Sequence, residues 1–144
     1  MTQDEKYMKV ALAQAQKAYQ QNEVPIGAVL VIDGKIVSRA YNSRNKSHDA
    51  TAHAEVNAIR KACKKIGDWR LENSVLYVTL EPCPMCFGAC LNARVEKVVY
   101  GAKETGSQTP NVLSAVNHKM QVEGGVLSQQ CADILKSYFK SKRV

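Results

Sequence analysis

Two short segments hold the groups that could do chemistry: His53 and Glu55 in Thr51-Ala52-His53-Ala54-Glu55, and Cys83 and Cys86 in Glu81-Pro82-Cys83-Pro84-Met85-Cys86. Cysteines three apart on a first helical turn point their sulfurs the same way. The partial positive charge of a helix N-terminus favours thiolate over thiol. Two thiolates ask for a soft or borderline cation, and zinc, at a Zn–S distance of about 2.3 Å, is the usual answer. His53 is the obvious third ligand. A structural zinc site needs a fourth protein ligand, whereas three leave one position for water, which is the catalytic pattern. Zinc lowers the pKa of such a water towards ~7, so a nucleophile is available near neutral pH. Glu55, two residues past His53, need not bind the metal. A carboxylate there can take the proton of the water and deliver it to a ring nitrogen and then to a leaving amine. Hydrolytic deamination requires both transfers, and one carboxylate can serve them in turn. The competing readings are a buried histidine with two core cysteines, and a zinc site that serves folding alone.

The remaining cysteines and histidines are weaker candidates. Cys90 lies four residues past Cys86 and could be a fourth ligand, but cysteine is often a small buried apolar residue, and core packing is the simpler expectation. Cys63 and Cys131 fall in amphipathic helical patterns and read as core. With five cysteines in all and no secretion signal, a disulfide framework is a poor explanation. His48 reads as a solvated loop residue; His118 is open between a loop anchor and a phosphate or sugar contact.

The elements that must position these groups follow from periodicity. Thr2 and Glu5 fit a capping box for a helix to about Asn22, with Tyr7, Ala11, Ala15, Ala18 and Tyr19 on its buried stripe. Ile26 to Ile32 reads as a strand buried on both faces, and Asp33-Gly34 as a hairpin turn into Lys35 to Tyr41. Asn42 to Asp49 is expected to be a loop, followed by a helix from about Ala52 to Ile66 with Gly67 as its C-terminal cap. Val75 to Leu80 is a buried strand; Pro82 suits the first position of the next helix, which reaches about Arg94. Val95 to Tyr100 is a strand, Ala102 to Asn117 an irregular loop, Met120 to Glu123 a short strand and Leu127 to Lys140 a last helix. The alternation predicts an α/β fold, a three-layer α/β/α sandwich with a mixed five-stranded sheet. Its 144 residues, without repeat or linker, fit a single domain spanning 1–144.

Apolar runs are strand-length, well short of the ~18–20 residues of a membrane helix, and the N-terminus Met1-Thr2-Gln3-Asp4-Glu5-Lys6 does not resemble a signal peptide. A soluble, cytoplasmic chain is expected. The formal charge of +7 is uneven: residues 35–70 carry nine basic against three acidic side chains, and residues 132–144 four against one. Either these are solvated helix faces or they form a patch for a polyanion.

Taken together, His53-Ala54-Glu55 and Pro82-Cys83-Pro84-Met85-Cys86 match the signature of zinc-dependent nucleobase deaminases, and the chain is similar to the cytidine-deaminase-like superfamily. It resembles most the bacterial tRNA adenosine deaminases of the TadA type, in Glu23-Val24-Pro25-Ile26-Gly27-Ala28-Val29, Trp69-Arg70-Leu71, Leu76 to Cys83, Val98 to Ala102, and Gly125-Val126-Leu127 through Cys131 to Tyr138-Phe139. The resemblance implies a homodimeric enzyme that converts the wobble adenosine of a tRNA anticodon to inosine, with the base flipped into a zinc pocket. It implies one Zn2+ per chain on His53, Cys83 and Cys86, and Glu55 as the proton shuttle. It makes Asn42 a contact to the flipped nucleotide, Ala54 a backbone donor to the base, and Val24 part of the pocket wall. Phe139 falls with Lys140, Lys142 and Arg143 where the family touches the anticodon stem-loop, and an aromatic among cations suits stacking and phosphate contact. The loop from Lys103 to Asn117 is several residues shorter than the family's Gly-rich loop, which helps to grip the tRNA. Thr51 to Gly67 also resembles bacterial guanine deaminases, so a deaminase of free guanine or another base or nucleoside is the alternative. A non-catalytic RNA-binding module would have no need of Glu55.

Overall fold

The capping box at the N-terminus forms as expected. Thr2 N donates to Glu5 Oε1 (2.8 Å) and Glu5 N to Thr2 Oγ1 (3.1 Å), opening helix α1 (Gln3–Gln20). The structure is a computed structural model that describes residues 1–142. β1 (Gly27–Ile32) and β2 (Lys35–Tyr41) form the hairpin; Asp33 (φ 51°) and Gly34 (φ 75°) supply the positive φ values that its tight turn needs. A short helix α2 (Arg44–Ser47) stands where a loop is expected. Helix α3 (Ala54–Ile66) ends at Gly67, in the left-handed conformation at φ 73°. Strand β3 (Ser74–Leu80), helix α4 (Pro84–Asn92), strand β4 (Lys97–Ala102), helix α5 (Thr109–Ala115), strand β5 (Gln121–Glu123) and helix α6 (Ser128–Lys142) complete the order.

The five strands form one mixed sheet in the order β2-β1-β3-β4-β5, with β1 antiparallel to both neighbours and β3, β4 and β5 parallel. Because side chains alternate across a strand, each strand feeds two cores. Ala28, Leu30, Leu76, Val78 and Val98 meet Ala54, Ala58 and Ala62 of α3 and Phe87 and Cys90 of α4. Val29, Val31, Tyr77 and Val99 meet Met8 and Ala11 of α1 and Cys131 of α6. The three-layer α/β/α sandwich is therefore present, and Cys90 and Cys131 are buried core residues. Cys63 is half-buried at the edge of the first core. Among the described residues no helix is long and apolar enough to cross a membrane.

The element boundaries expected from sequence need several corrections. Pro84, not Pro82, occupies the first turn of α4, because the chain stays extended until Cys83 (φ −71°, ψ 168°). Val95 does not begin β4: its N–H closes onto Cys90 O (3.0 Å) at the end of α4, so the strand starts two residues later. Part of the expected irregular loop is helix α5, whose Thr109 is fully buried and donates Oγ1 to Pro82 O (2.8 Å).

Gly27 lies where β1 runs tightly under α1. A Cβ there would collide with the backbone of Ala11 and Ala15, neither of which can rotate away. Gly27→Ala is expected to cost about 1–3 kcal/mol or more through overpacking, read as a lowered midpoint in urea. An unchanged midpoint would mean that the helix lifts without cost.

Candidate active site

Two helix N-termini converge at the end of β3. His53 is the N-cap of α3 (φ −73°, ψ 155°) and Cys83 the N-cap of α4, and neither side chain caps its own helix. Both are thus left free for another partner. His53 Nδ1 lies 3.7 Å from Cys83 Sγ and 3.4 Å from Cys86 Sγ. Tetrahedral zinc bonded to two sulfurs and a nitrogen at ordinary lengths holds such donors about 3.6 Å apart. The donor set and its spacing fit the ion. Among the described residues, this is the one His/Cys/Asp/Glu group close enough to hold a metal.

The electrostatics favour the thiolate at Cys83 and the thiol at Cys86. The adjacent Cys86 side chain and the His53 ring pull the Cys83 thiol down to about 4. The neighbouring Cys83 and burial push the Cys86 thiol up. The bond to Cys83 also raises His53. Glu55, 4% exposed in the first turn of α3, is raised by burial to about 7.

A cleft of about 360 Å³ brings His53, Glu55 and Cys83 together with Val24, Asn42, Ala54 and Phe139. Every site residue expected from sequence lines it except Cys86, which is fully buried. Asn42 is 4% exposed; its Nδ2 donates to Val24 O (3.3 Å), while its buried Oδ1 has no partner. Ala54, as the first residue of α3, has an N–H with no intrahelical acceptor. Phe139, 46% exposed, stands at the mouth and also lines an adjoining groove with Leu135, Lys136 and Lys140. Lys142 points elsewhere: its Nζ donates to Asn22 Oδ1 and lies over the Tyr138 ring. Arg143 lies outside the described residues. His48 is exposed at the end of α2, and His118 lines a separate cleft beside Arg94.

Among the lining residues given no site role from sequence are the charged Arg44 and Glu104. Burial in the cleft and the neighbouring Cys83 raise the Glu104 carboxyl. Its N–H is held by the buried Glu81 (Oε1, 3.2 Å), which ties the loop after β4 to the strand leading into the cysteines. Only the charge at these two positions could have suggested them.

An imidazole and two sulfurs close enough to share a metal, with a buried carboxylate beside them in one cleft, are the donor set of a zinc-dependent hydrolase. The family model for the cytidine and deoxycytidylate deaminase zinc-binding region matches residues 1–102, a span that includes His53, Cys83 and Cys86. The chain is 49% identical to the tRNA-specific adenosine deaminase of Bacillus subtilis (strain 168), covering 99% of this chain and 92% of that one. A solved structure from studies of A-to-I editing by tRNA:A34 deaminases aligns with a TM-score of 0.86 and 39% identity, over 90% of this chain and 99% of that one. Guanine deaminase from Bacillus subtilis aligns with a TM-score of 0.67 and 45% identity, over 70% of this chain and 65% of that one. The chain belongs to the cytidine and deoxycytidylate deaminase family, in the group of the tRNA-specific adenosine deaminases.

Proposed function

We propose that this chain is a zinc-dependent tRNA adenosine deaminase, converting the wobble adenosine of an anticodon to inosine with release of ammonia. The observation that carries the reading is the unpartnered, buried Oδ1 of Asn42 in the same cleft as the metal donors and Glu55. A buried acceptor without a donor is costly, and a base or ribose reaching into the cleft would satisfy it. His53, Cys83 and Cys86 would hold the zinc, which when bound would supply the Lewis acidity that makes water a nucleophile at neutral pH. Glu55 takes one proton from the attacking water and places it on the ring nitrogen beside the reacting carbon; it then carries the proton of the newly added hydroxyl to the amine, so that the C–N bond breaks, the carbonyl forms and ammonia leaves. The N–H of Ala54 and the side chain of Asn42 orient the base, with Val24 as an apolar wall.

The groove of Leu135, Lys136, Phe139 and Lys140 is where the anticodon stem-loop would continue away from the flipped base. The alignment with the tRNA-specific enzyme reaches the C-terminal helix, and its coverage is wider than that of the guanine deaminase. We read residues 1–144 as one domain acting as a homodimer in the cytoplasm, with its tRNA.

Binding to the stem-loop should weaken steeply with added salt, because neutralised phosphates release counterions. Replacing Lys136 and Lys140 with Gln should lower affinity and flatten the salt slope by about one unit for each phosphate left without its lysine, with zinc content unchanged. Phe139→Ala should cost about 1–3 kcal/mol of binding if a base stacks there. Binding assays at two salt concentrations, with ammonia release from the stem-loop, adenosine and guanine, test this. Fast turnover of guanine that ignores salt and the C-terminal lysines, with none of the stem-loop, would replace the reading with a free-base deaminase.

A further inference from the structure

A carboxylate taken out of water needs strong partners, and one such group has no part in the chemistry above. Glu23 is 1% exposed. Its Oε1 accepts from Asn45 N (3.0 Å) and its Oε2 from Lys46 N (2.8 Å). These are the second and third N–H groups of α2, whose own N-cap, Ser43, makes no side-chain capping bond. Glu23 therefore caps that helix from 22 residues away in sequence. A four-residue helix cannot hold its own position, so this pair of bonds fixes α2 at the C-terminal end of the segment entering it, whose backbone is held on the N-terminal side by Asn42 N to Ile26 O (3.1 Å) and Ser43 N to Ala52 O (3.0 Å).

That segment forms one wall of the catalytic cleft. Asn42 and Arg44 face the cleft, while Tyr41 and Ser43 face a separate cleft on the other side. The residue before Glu23 anchors the opposite wall. Asn22 O accepts from Asn45 Nδ2 (3.4 Å) and from Tyr138 OH (3.2 Å), and Asn22 Oδ1 accepts from Lys142 Nζ. Tyr138 immediately precedes Phe139 at the mouth. Asn22-Glu23 thus sits where the two walls meet.

We propose that Glu23 is a positioning residue for capture of the substrate nucleotide, holding Asn42 and Arg44 at the cleft while touching no reacting atom. This rests on the reading of the cleft as a nucleotide site. Both carboxylate oxygens are used, and Gln can replace only one of them, its NH2 being forced against the other N–H.

The test is a double-mutant cycle of Glu23→Gln with Asn42→Ala on the zinc-loaded enzyme, with an anticodon stem-loop as substrate. Glu23→Gln should raise KM about tenfold or more, leave kcat within about twofold, and keep full zinc. With Asn42→Ala present, Glu23→Gln should raise KM less than about threefold further, because the group it positions is gone. An unchanged KM, full additivity of the two substitutions, or loss of zinc or of cooperative unfolding in Glu23→Gln would each overturn the proposal. Failure of the unsubstituted chain to deaminate the stem-loop would overturn the deaminase reading, and this proposal with it.

Discussion

Glu55→Ala is expected to abolish turnover while leaving the fold and the zinc in place. The side chain is 4% exposed, lines the cleft with His53 and Cys83, and is absent from the metal-holding group. Removing a general acid–base costs about 10²–10⁴-fold, and the loss should reach the upper end because one carboxylate serves several transfers. Replacing a buried carboxylate by Ala also relieves a desolvation cost, so thermal stability should hold or rise. Single-turnover ammonia release with metal analysis of the same preparation separates these effects. Turnover within about tenfold of the unsubstituted enzyme would remove Glu55 from the role.

Cys83→Ala and Cys86→Ala should lose zinc and activity together. Three protein donors are the minimum that a catalytic zinc site provides, and two donors would bind the ion far more weakly. The two variants should differ in stability. Cys83 is half-buried at the cleft, whereas Cys86 is a fully buried residue of α4, so Cys86→Ala also opens a small cavity. Metal analysis after dialysis, with urea unfolding, reads both. Full zinc content in either variant would contradict the ligand assignment.

Much of this site was legible in the sequence because its chemistry is local. His53-x-Glu55 and Cys83-x-x-Cys86 each sit at the start of one helix, and the spacing alone brings each pair together. The long strands were legible for the same reason: Gly27–Ile32 and Ser74–Leu80 are apolar runs bounded by turn residues. What was missed depends on distant partners. Helix α2 is capped by Glu23 rather than by its own Ser43, so nothing in residues 42–49 announces it. Helix α5 rests on the buried Thr109 and its bond to Pro82, 27 residues earlier. Arg44 and Glu104 join the cleft only through the folding of separate segments onto the β3 end. Lys142, expected beside Phe139 as a phosphate contact, is drawn back to Asn22 and Tyr138 instead.

The most direct measurement is incubation of the zinc-loaded enzyme with a tRNA whose anticodon begins with adenosine, followed by sequencing for inosine and assay of ammonia. The account predicts inosine at that one position, with ammonia released in equal amount, and neither product with Glu55→Ala. Unchanged adenosine at the wobble position, together with ammonia released from free guanine, would contradict it.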